Sequence, residues 1–452
     1  MTPIIKNLDS LATTQSRRQV LEIIEAGISR VLPQNIMRSA VKYDTAGRVI
    51  TINNDAFDLS GGRLFVIGGG KASGRMAQAL EEIVGVENIA DGAVNCKGGQ
   101  PGTRKIRVKT AGHPVPDERG ISGVEDMLAL KGRYLIGKND LVISLISGGG
   151  SALLPYPVEG VSLGDKQIIT ELLIGCGAEI DEINTVRKHL SRIKGGQLAS
   201  FFHPATVISL IISDVIGNDL AVIASCPTVA DPSTFSDARQ VLERYHLTEK
   251  APKSVIEFLN KGCRGEMPET PKTLDNCHNY IIGDNSLAME AMQGKAREMG
   301  FSPHIITVEQ KGGTTEIAQS RAKEIRDGKY AEYDILLIGG ETTVKLPPDA
   351  GRGGRNQHYA AASLLAMAEY PGEWTVASVG TDGSDFLPDV AGAIVDRSSL
   401  ETVRTRNIDV ESYLERCDSY TLLESIGSSL IVTGDTGTNV GDLLIYLKKD
   451  RA

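Results

Sequence analysis

The chain has 452 residues, enough for two or three domains of ordinary size. With 41% hydrophobic and 23% charged residues, it has the composition of a globular protein with substantial cores. Its formal net charge of −9 argues against nucleic acid or an anionic membrane as the main partner, yet one pocket can still be positive enough to hold a phosphate.

The stretch Met1 to Ser16 lacks the apolar core of a signal peptide. No run approaches the roughly 18 apolar residues of a membrane span. Cys96, Cys176, Cys226, Cys263, Cys277 and Cys417 are scattered without CxxC or zinc spacing, which suits free thiols in a reducing compartment. The expected location is therefore cytoplasmic. Ser16–Val31 then reads as a helix, with Val20, Ile23, Ile24 and Ile28 at helical spacing behind Ser16 as its cap.

Six β-rich runs follow: Arg63–Ile67, Asp140–Ile146, Thr206–Ile212, Tyr280–Ile282, Ile335–Ile338 and Trp374–Val379. Each ends in a loop of glycine or small polar residues. Nearly continuous apolar strands with helical spacers predict parallel sheets buried on both faces. Ser73–Val84 and Ser286–Met299 fit as crossover helices. Such sheets bind ligands at the carboxyl ends of their strands, where all these loops would lie. The proline-punctuated segment Ala230–Glu269 reads as a helical connector. The expected division is thus an α/β domain over 1–240, a connector over 241–274 and a second α/β domain over 275–452.

In the first loop, Gly68-Gly69-Gly70-Lys71-Ala72-Ser73-Gly74, glycines let backbone N–H groups approach an anion and Lys71 adds a mobile cation. It is not a Walker A loop, and its GxGxxxG pattern alone is a weak dinucleotide signal. The bland alternative is a glycine turn for tight strand–helix packing. Ser147-Gly148-Gly149-Gly150-Ser151 repeats the design with hydroxyls instead of a cation; the GxSxG elbow of a hydrolase is missing. Asn184, Arg187, Lys188, Ser191 and Lys194 fall at spacings of three and four, which on one helix makes either a solvated face or a cationic patch for phosphate. His189 is assigned no proton transfer. Asp214, in Ser213-Asp214-Val215-Ile216-Gly217-Asn218-Asp219, suits either magnesium or a helix cap.

Further on, Gly339-Gly340-Glu341-Thr342-Thr343 is another small polar loop. Gly354-Arg355-Asn356 opens an alanine-rich helix, where an arginine opposes the dipole and calls for a reason; charge stabilisation at a transferring phosphoryl group is one. Gly380-Thr381-Asp382-Gly383-Ser384-Asp385, with Asp389, is a second carboxylate cluster suited to magnesium or to a base, with Asp382 as the metal ligand, or else a turn closed by Asx hydrogen bonds.

The strings GGGKAS, SGGGSAL, INTVRKHLSRIKGGQLA, SDVIGND, GGETTV, GRGGRNQ, GTDGSD and GDTGTNV together resemble the class II glycerate kinases, whose C-terminal domain is known as MOFRL. The resemblance runs in order from about Gln19 to the C-terminus. It implies ATP-dependent phosphorylation of D-glycerate with magnesium or another divalent cation. It also implies a Rossmann-like N-terminal domain, a smaller C-terminal α/β domain and an active site in the cleft between them. The family's catalytic lysine and arginine match Lys71 and Arg355. Departures stand at Asn218, at Cys226 where glycine is usual, and at Phe386-Leu387 in place of a small Gly-Pro step.

The expected mechanism has Lys71, Gly69, Gly70, Ser73 and the Ser147–Ser151 loop holding phosphates, with Asn184, Arg187, Lys188, Lys194, Glu341, Thr342, Gly354 and Asn356 binding substrate or nucleotide. A metal on Asp214 or Asp382 would bridge the phosphates, and Asp214 or Asp382 would take the hydroxyl proton. Two rivals remain: a nicotinamide-dependent hydroxypyruvate reductase, a label some family members carry, and a nucleotide-binding protein without catalysis. A homodimer is one assembly compatible with such a chain.

Overall fold

The first four apolar runs become β1 (Leu64–Gly69), β4 (Leu141–Ser147), β5 (Thr206–Ile212) and β6 (Cys277–Gly283), while β2 (Ile89–Cys96) and β3 (Ile106–Thr110) are strands that the sequence pattern does not indicate. They form one sheet in the order β3-β2-β1-β4-β5-β6, and the first five pair in parallel. Every residue of β1 and β4 is buried, as their unbroken apolar sequence requires once helices cover both faces. Val124, Met127 and Leu130 of the helix Glu118–Tyr134 pack into one core with Phe65, Ile67, Val142 and Ile146.

The computed structural model of the protein describes residues 3–98 and 102–449. The chain divides into two units, Pro33–Ile282 and Met1–Leu32 with Gly283–Ala452. This differs from the expected division at both ends. The segment expected as a connector belongs to the first unit: helices Phe235–Arg244 and Lys253–Cys263 share a second core with Leu163–Gly175 and Ile180–His189, burying Phe235, Val241, Leu259, Leu173 and Val186.

The first 32 residues belong instead with the C-terminal part. Helix Gln15–Arg30 buries Val20, Ile23, Ile24 and Ile28, and Thr14, not Ser16, caps it by accepting from Arg17 N. Arg17, 2% exposed, donates to both carboxylate oxygens of Asp396 at 2.8 and 3.1 Å. Gly27 leaves room for Met292, whose Cγ lies 2.6 Å from where a Cβ would stand. These partners are hundreds of residues away in sequence, which is why local composition misplaces the boundary.

In this second unit, β7 (Pro303–Gln310), β8 (Ile335–Gly340), β9 (Glu373–Gly380), β10 (Gly392–Asp396), β11 (Leu430–Ile431) and β12 (Asp442–Lys449) run in the order β7-β8-β12-β9-β10-β11. Only β7 and β8 pair in parallel; the other pairs are antiparallel, so the sheet is mixed and not parallel as expected. One source is β12, which enters without a crossover helix and inserts antiparallel between β8 and β9; the β9–β10 and β10–β11 pairs are antiparallel independently of it. Its first residue, Asp442, stands opposite both Gly340 and Gly380, at the ends of the strands that carry the two expected loops. Among the described residues no helix is long and apolar enough to cross a membrane, and the six cysteines are unbridged.

Candidate functional site

In the unit Pro33–Ile282, β1, β4 and β5 are neighbours, so the loops after them meet at one end of the sheet. They are tied by specific bonds. Lys71 N donates to Gly148 O at 2.8 Å and Ala72 N to Ser147 Oγ at 2.9 Å. Ser73 Oγ donates to Leu145 O at 2.9 Å. Ser73 and Ser147 thus fasten loop to loop, and Gly69 packs against Leu154, whose Cγ is 2.6 Å from a Cβ built there.

Two glycines are required by what approaches them. At Gly148 a Cβ would lie 1.8 Å from Asp214 Oδ2, so only glycine lets that carboxylate reach the loop. Gly149 has φ +78°, and its Cβ would meet His113 Nε2 at 2.8 Å and Lys71 Cγ at 3.2 Å. Lys71, Asp214 and the Ser147–Ser151 loop are therefore one cluster. Gly149→Ala is expected to cost about 1–2 kcal/mol of stability through its left-handed backbone. By displacing Lys71 it should lower kcat/KM roughly 10- to 100-fold. Thermal melting and an ADP-release assay read the two effects separately.

The basic segment does not form one helical face. Helix Ile180–His189 ends there, because Ser191 Oγ accepts from the N–H groups of Ile193 and Lys194, both at 3.3 Å, and turns the chain. Lys188 is drawn into a buried ion pair with Asp231 at 3.3 Å. Asn184 Oδ1 accepts from Ser225 Oγ, which lies 2.8 Å from Ser151 Oγ. Lys194 Nζ donates to Ala224 O at 3.2 Å. Ala224, Ser225 and Cys226 are left-handed in succession, with φ +54°, +57° and +49°. Such backbone costs about 1 kcal/mol per residue and persists where surrounding bonds over-determine it; here Gly195 and Gly196 donate to Ser225 O and Cys226 O. The departure at Cys226 thus falls where the backbone favours glycine.

Arg187 and Lys194 line a cavity of about 400 Å³ with Gly149, Ser151, His113 and Lys166. Burial, then Arg187, lowers the Lys166 pKa to about 7. Burial followed by Lys166 and Arg187 holds Lys194 well below its usual value. Lys166 was missed in the sequence, although a signal existed: it stands on the buried stripe Leu163, Lys166, Ile169, Leu173 of its helix, where a lysine is out of place.

In the other unit, Arg355 begins the helix Arg355–Ala366 with Gly354 as N-cap. Its guanidinium is bidentate to Asp442, Nε to Oδ2 at 2.6 Å and Nη2 to Oδ1 at 3.0 Å, and also pairs with Glu341. Burial disfavours its charge, but Asp442 and Glu341 outweigh that and raise its pKa. Asp385 caps the same helix, accepting from Asn356 N at 3.0 Å and Gln357 N at 2.8 Å, and burial pushes its pKa up to about 6. Asn356 Nδ2 reaches both Asp442 and Asp385. Thr342 is buried, accepting from Thr314 Oγ1. Asp382 Oδ1 accepts from Ser384 N and Oγ, both at 3.0 Å, which is the Asx turn foreseen as the alternative. Asp385, read in the sequence as part of a carboxylate cluster for metal or base, instead caps the helix Arg355–Ala366, and Asp442 carried no signal in the sequence.

Among the described residues no three His, Cys, Asp or Glu side chains form a metal cage. Asp214 beside the phosphate-type loop fits magnesium held by one or two carboxylates plus nucleotide oxygens, but not a dedicated ion site.

The model of a family described as a domain of unknown function (DUF4147) matches residues 19–260, and that of the MOFRL family matches residues 334–442. A glycerate 2-kinase of Pyrococcus horikoshii is 41% identical over 94% of this chain and 96% of its own length. The chain belongs to the DUF4147–MOFRL family of glycerate kinases. A D-glycerate 2-kinase of Thermotoga maritima is 37% identical over 95% of this chain and 98% of its own. The crystal structure of a glycerate kinase from Thermotoga maritima superposes with TM-score 0.83 at 36% identity, covering 96% of this chain and 100% of that one. Two relatives from Agrobacterium vitis carry a hydroxypyruvate reductase name instead.

Proposed function

We propose that this member of the glycerate kinase family transfers the γ-phosphoryl group of ATP to the 2-hydroxyl of D-glycerate, releasing ADP and 2-phosphoglycerate. The observation that carries the reading is the cluster at the ends of β1, β4 and β5, where Lys71, two glycine loops and Asp214 meet. Phosphoryl transfer needs positioning and charge neutralisation more than covalent chemistry, and this cluster offers both.

In this reading Lys71 holds the γ-phosphate oxygens as negative charge shifts towards ADP. Asp214 accepts the proton of the attacking hydroxyl. Magnesium, bound with the nucleotide, would share Asp214 and neutralise phosphate charge. Arg355 is the second proposed catalytic group. A homodimer in the cytoplasm is the expected assembly and location.

A coupled assay with ATP, magnesium and D-glycerate tests the whole. ADP formation that depends on D-glycerate, with 2-phosphoglycerate as product, is the expected result. Oxidation of NADH or NADPH by hydroxypyruvate, without ADP formation, would establish the reductase instead.

A further inference from the structure

The cavity beside Gly149 gathers basic side chains that no buried carboxylate in its walls balances. Lys166 is 8% exposed, and its Nζ has no hydrogen-bond partner. Lys194 is 2% exposed and Arg187 half-buried, and both line the same space. No carboxylate stabilises any of the three charges. Glu171 alone among the lining residues is acidic, and it is exposed. An unpaired buried ammonium is among the most expensive groups a fold can hold, and Lys166 lies here beside the Arg187 guanidinium and Lys194, whose Nζ has only the carbonyl of Ala224. Such an arrangement calls for an anion from outside the chain.

The spread of basic side chains selects its class. Three of them along one cavity suit a di- or triphosphate, which can meet all three and would favour their protonated forms, better than a single carboxylate. Pro114, Val115, Pro116, Pro155 and Ile174 give the wall an apolar stretch that suits the face of a planar base. At Gly149 the cavity meets Lys71, whose Cγ would be 3.2 Å from a Cβ there.

We propose that this cavity is the nucleotide subsite, with Lys166, Arg187 and Lys194 holding the polyphosphate of ATP, the apolar wall taking the purine and the γ-phosphate pointing to Lys71. The inference rests on the kinase reading and adds to it a place for the nucleotide and a role for Lys166.

Titration calorimetry with ADP on the full chain needs no turnover, so it separates this inference from the kinase reading, which fails by itself if the unaltered chain forms no product from ATP and D-glycerate. Lys166→Met keeps the volume and removes the charge. ADP is expected to bind it roughly 10- to 100-fold more weakly, with the KM for D-glycerate within about twofold and Lys166→Arg recovering most of the affinity. The unliganded Lys166→Met protein should melt no lower than its parent, because it loses an unpartnered buried cation. Unchanged ADP affinity in the folded variant would overturn the inference. So would a raised KM for D-glycerate with ADP affinity intact, which would put the acceptor's carboxylate in this cavity.

Discussion

Lys71→Ala is expected to lower kcat by about 10²- to 10⁴-fold while leaving the melting temperature almost unchanged. The loop owes its shape to backbone and serine contacts that alanine preserves: Lys71 N to Gly148 O, Ala72 N to Ser147 Oγ and Ser73 Oγ to Leu145 O. The substitution removes the side chain beyond Cβ, ammonium included, while keeping these loop contacts, so a folded variant reports the loss of the Lys71 side chain and not of the loop. The coupled ADP assay and a circular-dichroism melt are the two measurements. Turnover within a few-fold of the parent would take Lys71 out of the chemistry.

Arg355→Met is expected to destabilise its unit by about 3–5 kcal/mol, a large loss because the variant leaves Asp442 buried without its bidentate partner. Burial raises the Asp442 pKa and Arg355 works against that rise, so removing Arg355 pushes it further up. The folded protein then binds more protons than the unfolded chain between the ordinary aspartate range and the raised value. Stability in this window falls as pH rises, and the loss is smallest in acid, where Asp442 is neutral in both states. Denaturant unfolding at two pH values reads the sign. Adding Asp442→Asn to Arg355→Met should restore much of the stability. If Arg355 also stabilises the transferring phosphoryl group, activity stays low in the double variant. Recovery of activity along with stability would make Arg355 a structural residue only.

The structure itself supplies one answer to why an arginine starts a helix. The sequence shows that Arg355 opposes the dipole; its pairing with Asp442 and Glu341 and the Asp385 cap are contacts of 14 to 87 residues' separation. No local pattern announces such pairs. The same holds for Asp214, whose approach to Gly148 depends on β4 and β5 being neighbours.

What the sequence determined by itself is whatever rests on local chemistry. Apolar runs such as Leu141–Ser147 read as buried strands, and the glycine-rich segments after them as tight turns. The ordered motifs were also enough to point to the family. Tertiary structure decided the rest. It moved residues 1–32 to the C-terminal unit through Arg17 and Gly27, and made the second sheet mixed, in part by inserting β12. It also broke the basic segment into a helix and a turn, sending Lys188 to Asp231 and leaving Arg187 and Lys194 in a cavity with Lys166. Periodicity reports how one element meets its surroundings, but it carries no record of which distant element those surroundings will be.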